Sequence, residues 1–204
     1  MQKPDAPSCA RNRDPILAVL RDHLSDTRQL LEIGSGTGQH AIYFGAALPN
    51  LQWQTSELPE HHEGIRAWLV EAALPNVLAP IVFDARETLS LDDGAARYEA
   101  VFTSNTLHIM SWDAVQQLFA RLPAIVTPGA KLIVYGPFNY HGAYTSDSNR
   151  DFDAWLKARD ALSGIRDFEF VDALARAAGF ALIEDRAMPA NNRCIVWQAQ
   201  TAGR

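Results

Sequence analysis

Glu32, Gly34, Gly36 and Gly38 fall in the run Leu30-Leu31-Glu32-Ile33-Gly34-Ser35-Gly36-Thr37-Gly38, a spacing suited to holding a ligand against main chain. Glycine has no Cβ, so such a loop turns sharply and lets a ligand touch backbone atoms. The N–H groups of a helix starting near Gln39 point into the same space. A carboxylate two residues before the first glycine would repel a pyrophosphate. It suits a cationic ligand such as S-adenosylmethionine, which carries an ammonium and a sulfonium and no phosphate. Gly36-Thr37-Gly38-Gln39-His40-Ala41 also satisfies the loose G-x-G-x-x-[GA] pattern, which leaves a nicotinamide dinucleotide as a competing ligand. The plain alternative is a tight strand-to-helix turn.

Further chemistry-bearing residues recur where predicted strands end. Glu57 follows the glycines by about twenty residues, the place where an acidic side chain meets ribose hydroxyls in nucleotide-binding α/β folds. Asp84-Ala85 closes the next strand; resemblance to the S-adenosylmethionine-dependent methyltransferase fold would make Asp84 an acceptor for an adenine amino group, and taken alone it equally reads as a loop cap. Asn105 and His108 follow the fourth strand, at the carboxyl edge where open α/β sheets bind ligands. His108 has an unperturbed pKa near neutrality and serves as a candidate general base, or else as a structural histidine bonded to a carbonyl. Tyr135, Asn139, Tyr140 and His141 follow the fifth strand and are candidates for lining an acceptor pocket. An aromatic ring there also suits a sulfonium through cation–π contact, although Tyr135 equally fits the core. Asn191-Asn192 reads as a pocket entry or as turn chemistry. The adjacent His61 and His62 project about 100° apart on a helix, a poor chelate, so no metal is expected.

These residues need a scaffold of alternating strands and helices. Asp14-Pro15 reads as an N-cap and first helical proline, with Ile16, Val19 and Leu20 as the stripe. The polar segment before it, including Arg11, Asn12 and Arg13, reads as a flexible lid over the glycine loop or as a solvated basic patch. Leu51–Ser56 alternates as a second strand, and Ile65, Trp68, Leu69 and Ala72 mark a helix. Strands follow at Pro80–Phe83, Tyr98–Ser104 and Lys131–Gly136, the second after a loop at Asp92-Asp93-Gly94 and the third after a Pro128-Gly129 turn. Between them Val115, Leu118, Phe119 and Leu122 describe a helix, with Trp112 as a packing residue at its start. Asp167 reads as the cap of a helix that Gly179 stops. Ala181–Glu184 and Cys194–Trp197, joined by Met188–Asn192, form a closing antiparallel pair. The expected fold is α/β and Rossmann-like: a seven-stranded, mostly parallel sheet with an antiparallel last strand and helices on both faces.

The bulk properties narrow the partners. The 204 residues suit a single domain, with 48% hydrophobic and 21% charged residues in the globular range. A net charge of −6 argues against a broad phosphate-binding face, so nucleic acid is not an expected partner. No apolar run approaches the roughly 18 residues of a membrane span, Met1–Arg13 lacks a secretory core, and Cys9 and Cys194 fit no metal or disulfide pattern. A cytoplasmic protein is expected.

Several blocks together resemble one family. They are Arg11-Asn12-Arg13-Asp14-Pro15-Ile16-Leu17, Leu31–His40, Asn105 with His108-Ile109 and Trp112, Tyr135-Gly136-Pro137-Phe138, Gly164-Ile165-Arg166-Asp167 and Met188-Pro189-Ala190-Asn191-Asn192. They resemble an uncharacterised methyltransferase-like family of the class I S-adenosylmethionine-dependent fold, widespread in proteobacteria and with a human member. The resemblance spans about Arg11 to Val196, with one departure, Thr55-Ser56-Glu57 in place of a Pro-Ser-Asp type ending. It implies an S-adenosylmethionine-binding methyltransferase fold with no assigned acceptor, and the acidic balance of the chain favours a small-molecule acceptor. The position where base-amine methyltransferases carry an Asn/Asp-Pro-Pro-aromatic motif reads Asn105-Thr106-Leu107-His108 here, which again sets nucleic acid aside. The expected cofactor-binding residues are Asn12, Glu32, Gly34, Ser35, Gly36, Thr37, Gly38, His40, Glu57, Asp84, Ala85, Asn105 and Leu107, and the expected catalytic ones His108 and Tyr135. The expectation is one methyltransferase domain over 1–204, with 1–14 as a lid and 137–165 capping the acceptor pocket. A non-catalytic S-adenosylmethionine-binding protein is the second reading and a nicotinamide-dependent oxidoreductase the third.

Overall fold

The computed structural model describes residues 3–84 and 98–200, which fall into two compact units, Met1–Thr103 and Ser104–Arg204. The first unit contains α1 (Pro7–His23), β1 (Gln29–Ile33), α2 (Gln39–Ala47), β2 (Gln52–Glu57), α3 (His62–Ala72) and β3 (Val77–Val82), and ends in β4 (Tyr98–Ser104). The second contains α4 (Trp112–Ile125), β5 (Val126–Gly136), β6 (Phe138–Asn139), α5 (Asp147–Arg159), β7 (Arg166–Asp167), α6 (Phe168–Ala177), β8 (Phe180–Met188) and β9 (Asn192–Ala199). Ala85 and the Asp92-Asp93-Gly94 loop lie outside the described residues.

Among the described residues seven strands form one sheet in the order β3-β2-β1-β4-β5-β9-β8, and β6 pairs with β7 apart from it. β1 is parallel to β2 and β4, and β2 to β3, whereas β9 is antiparallel to both β5 and β8. This is the mostly parallel sheet with an antiparallel last strand that the alternation of elements predicts. Leu30, Leu31 and Ile33 on β1 are buried, the near-continuous apolar run of a strand covered on both faces. Phe44, Trp53 and Phe102 pack with ring centroids 5.5–5.7 Å apart, which fixes α2, β2 and β4 within the first unit.

Three boundaries differ from the sequence reading. The first helix starts at Pro7, not at Asp14-Pro15, so 7–14 is helical and not irregular. Pro7 takes the first-turn position that tolerates a missing N–H, and Pro15 lies inside the helix. Asp14 does not cap; its carboxylate accepts the Tyr43 hydroxyl. Next, β3 begins at Val77, so Pro80 lies within an edge strand, where the register with β2 shifts between Gln54 and Ser56. Edges and bulges are where a strand accommodates proline. Finally, β5 runs back through Pro128 and Gly129 to Val126. Its pairing with β9 starts only at Lys131, so neither residue costs that ladder a bond. At the other edge, β8 carries a register break between Leu182 and Glu184. No helix among the described residues is long and apolar enough to cross a membrane.

Candidate functional site

In the first unit the glycine loop joins β1 to α2 and is held by main-chain groups together with the side chains of Ser35, Ser56 and Glu57. The Ser35 amide donates to the Ser56 carbonyl at 3.0 Å, and the Ser56 amide returns a bond to Ser35 Oγ at 3.1 Å. Ser56 Oγ donates to the Glu32 carbonyl at 2.6 Å. The loop's last glycine, Gly38 (φ +88), has Ile65 of α3 so near that an added Cβ would lie 3.3 Å from the Ile65 Cα. Gly36 (φ +57) is the opposite case, since a Cβ there would meet nothing within 4 Å. One glycine is set by close packing and the other borders open space. Gly34 shares the positive φ at +71.

Glu57 closes this cradle. Its Oε2 accepts the Gly36 amide at 2.9 Å and its Oε1 accepts the Leu58 amide at 2.9 Å. A carboxylate oxygen has two lone-pair sites, so each keeps capacity for a hydroxyl. Glu32 is 2% exposed and is not presented on a surface. The Trp53 indole donates to its Oε2 at 3.0 Å. Burial raises its carboxyl to about 7 against the pull of Trp53 and Ser35 hydrogen bonds, with the nearby Glu57 charge adding to the rise. A cation placed beside it would favour the ionised form.

The start of α1 lies against the same loop. Gln39, the first residue of α2, accepts the Ala6 amide at 2.7 Å and Thr37 Oγ1 at 2.9 Å, and its amide nitrogen donates to Asp5 at 2.8 Å. The Cys9 thiol is raised to about 11 by burial and by the Glu32 and Asp5 charges, against a hydrogen bond with Thr37. Asn12 and His40, both buried, bond each other through Asn12 Oδ1 and His40 Nε2 at 2.7 Å. Burial lowers His40 to about 4, so the ring is neutral and stacks on Phe44. Residues 3–6 continue over α3: Trp68 Nε1 donates to the Pro4 carbonyl at 2.8 Å, and Lys3 pairs with Glu71 at 2.5 Å. Asp84 lies part-buried two residues past β3. His62 spends its Nε2 on the Glu57 carbonyl at 2.9 Å, and among the described residues no three His, Cys, Asp or Glu are placed to hold a metal ion.

The second unit gathers a different set. Asn105 adopts φ +59 and its amide donates to the Tyr135 carbonyl at 2.8 Å, which joins the residues after β4 to the end of β5. Tyr135 itself is 3% exposed and Leu107 is 5% exposed. His108 is 6% exposed, packs edge-on against Phe152 at 5.3 Å, and is lowered to about 4 by burial and by the Arg166 charge. Arg166 grips the main chain, donating to the carbonyls of Leu107 at 3.1 Å, Leu162 at 3.0 Å and Met110. Asp153 is 1% exposed and accepts from the Ile165 amide at 2.7 Å, Tyr144 Oη at 2.7 Å and Lys157 at 2.6 Å. Burial alone would raise it, but these donors hold it below the ordinary carboxylate range. Tyr140 donates to Asp185 at 2.7 Å, and His141 is an exposed partner of Glu169. Asn191 accepts from Asn149 through its carbonyl at 3.1 Å and donates to Ser148 at 3.2 Å, which ties the β8–β9 link to the start of α5, while Asn192 donates to the Pro189 and Ala190 carbonyls in turn chemistry.

The structure thus brings Asn12, Glu32, Gly34, Ser35, Gly36, Thr37, Gly38, His40 and Glu57 together in the first unit, and Asn105, Leu107, His108 and Tyr135 in the second. Gln39, Arg166 and Asp153 were not singled out from the sequence. Gln39 and Arg166 lie inside two of the resemblance blocks, which was the available signal. Asp153 had none, because it stands on a helix face among other charged residues.

A family model described as a protein of unknown function, DUF938, matches residues 3–199. Among solved structures, an O-methyltransferase family protein from Burkholderia thailandensis superimposes with a TM-score of 0.78 at 16% identity, over 96% of this chain and 58% of that one. The mitomycin 7-O-methyltransferase MmcR gives 0.79 at 16% identity, over 94% and 54%. Human N-acetylserotonin methyltransferase, solved with S-adenosylmethionine, gives 0.72 at 15% identity, over 93% and 55%. The chain spans a little over half the length of these proteins, and what it shares with them at such identity is the class I methyltransferase fold.

Proposed function

This chain belongs to the DUF938 family, and we propose that it transfers a methyl group from S-adenosylmethionine to a small-molecule acceptor. The observation that carries the reading is the glycine loop under Glu57, where Gly36 has a positive φ and space for a ligand in place of a Cβ. Gly34, Ser35, Gly36, Thr37 and Gly38 supply the cradle, and the lone pairs left on Glu57 suit ribose hydroxyls. Glu32 supplies the negative charge that a cationic cofactor favours, and Asn12 and His40 brace α1 against α2. Bound there, the cofactor supplies an already activated methyl group. Much of the acceleration then comes from aligning and desolvating the acceptor.

His108 is the acceptor-side base in this reading. Its low pKa keeps the imidazole unprotonated at neutral pH, ready to accept a hydrogen bond or proton, though as a weak base. Tyr135 supports it by fixing Asn105 through its carbonyl. The segment 137–165 caps the acceptor, the protein works as one methyltransferase domain, and neither nucleic acid nor a membrane is its partner. The resemblance to the uncharacterised methyltransferase-like family with proteobacterial and human members supports the same activity.

Titration calorimetry with S-adenosylmethionine and its demethylated product, with NADH as the control, tests the reading. Micromolar binding of the first two is expected, weakened about tenfold to a hundredfold in Glu57→Ala, roughly the value of one or two charge-assisted hydrogen bonds. His108→Ala should bind both as the parent does. Saturation by NADH alone overturns the proposal in favour of an oxidoreductase. Cofactor binding without turnover over a broad acceptor panel favours a non-catalytic binding protein.

A further inference from the structure

The short β6 and β7 strands of the second unit pair in parallel, with Asn139 opposite Asp167. Oδ1 of each side chain is buried and has no hydrogen-bond partner among the described residues. Native interiors rarely leave such atoms unmet, and here two of them stand on one register pair.

Asp167 makes the arrangement more pointed. It occupies the N-cap position of α6, where an aspartate ordinarily spends its carboxylate on the first-turn amides. Here the side chain makes no capping bond. Nor does a cation among the described residues answer it. Neighbouring Arg166 is committed to three carbonyls, Lys157 to Asp153 and Arg193 to Asp185. The adjacent Tyr140 hydroxyl is likewise spent on Asp185.

We propose that Asn139 and Asp167 form a recognition site for a primary amine or ammonium group. Two buried acceptors need a donor with at least two hydrogens. An alcohol brings one and leaves an oxygen unmet, water brings two but no charge to match the carboxylate, a tertiary amine cannot serve both, and a carboxylate or phosphate is repelled. The nitrogen of a primary amine meets both oxygens, and its positive charge matches the carboxylate. The inference rests on the methyltransferase reading only in taking this amine to be part of the methyl acceptor, which would make the pair a specificity determinant.

The test is a nuclear magnetic resonance titration of the full chain, following the Asn139 side-chain amide and the Asp167 backbone amide. The probes are methylamine, benzylamine and tyramine, each against its matched alcohol: methanol, benzyl alcohol and tyrosol. The amine of at least one pair is expected to shift both signals and to bind at least tenfold more tightly than its alcohol. Asp167→Asn should lose that preference, Asn139→Asp should strengthen it several-fold, and Asn139→Ala is the second loss-of-binding variant if Asp167→Asn unfolds. Asp167 makes no capping bond that the substitution could remove and asparagine has its size, so an unchanged melting temperature is expected in Asp167→Asn. Absence of any amine-induced shift, equal binding of amine and alcohol, or an unaltered Asp167→Asn overturns the proposal. Calorimetry with the demethylated cofactor on the same sample separates the two readings. Cofactor binding without amine capture sinks this site alone, and amine capture without cofactor binding sinks the methyltransferase assignment alone.

Discussion

Around the glycine loop, polar groups find partners: Gly36 ends on Glu57, Ser35 and Ser56 exchange bonds, Trp53 answers Glu32 and Asn12 answers His40. In the second unit the distribution is uneven. Asp153 collects three donors, while Asn139 and Asp167 keep buried oxygens unmet. An unmet buried acceptor costs about 1–3 kcal/mol. A loop whose main-chain and side-chain groups are already paired is ready before its ligand arrives. A side-chain cluster with spare acceptors carries a penalty that a ligand can relieve, and so discriminates among ligands.

The sharpest way to break this contrast is to damage each unit through its own kind of support. Gly38→Val forces a β-branched residue into positive φ and drives its Cβ onto α3. We expect a loss of about 4 kcal/mol, strain and clash together, read by chemical denaturation. Asp153→Ala removes the acceptor of three donors and leaves the Ile165 amide unpaired. A loss of about 3 kcal/mol is expected, with hydrogen exchange rising around β7 and α5 and little changed in β1 and α2. Exchange rising equally in both units would erase the contrast.

Acid should load the two units unequally. His40 and His108 are each held near 4 by burial, so the folded ring stays neutral where the unfolded one takes a proton. Their contribution is whole above pH 6.5 and is lost as pH falls from there toward 4, about 2 kcal/mol for each by pH 5. Glu32, raised to about 7, works the other way. The folded state keeps its proton between 4.5 and 7, so stability is gained as pH falls through that window, by a similar amount. The first unit holds one group of each kind and should be nearly balanced. The second holds His108 with no such counterweight among its described groups. Between pH 7.5 and 5, exchange corrected for intrinsic rate should rise first around His108 and α5. Equal loss in the two units would contradict this.

The smallest effect sharpens the picture of the loop. Gly36→Ala places a methyl group in open space at φ +57, at a cost of about 1 kcal/mol of backbone strain. Melting should move by a few degrees, while binding of the demethylated cofactor should fall at least tenfold. A variant that binds normally would mean that the space beside Gly36 is not where the ligand lies.

Much of this architecture was legible in advance because periodicity reports burial. Leu30, Leu31 and Ile33 announced a strand covered on both faces, and the three glycines announced the loop that ends it. The beginning of α1 was not legible. Asp14-Pro15 carries a strong local start signal, but the turn before it is polar, and only its docking against Gln39 and His40 holds it helical. Pro80 and Pro128-Gly129 misled for a related reason, since a proline's tolerance depends on whether its strand is at an edge or already paired there. Asp167 was rightly placed at a helix start. That its carboxylate does not cap is a fact of three-dimensional neighbours, which no one-dimensional pattern carries.

The break in β8 has a consequence for how the protein behaves in concentrated solution. β8 is the outer strand of the sheet, with Leu182 and Ile183 partly exposed at 36% and 44%. A regular edge of that composition is a template on which a second molecule can add its own strand and begin an aggregate. The ladder is interrupted beside those two residues, and Glu184 and Arg186 place an ion pair at 2.7 Å on the stretch that follows. The irregularity thus works as a guard, leaving an incoming strand a broken and charged template.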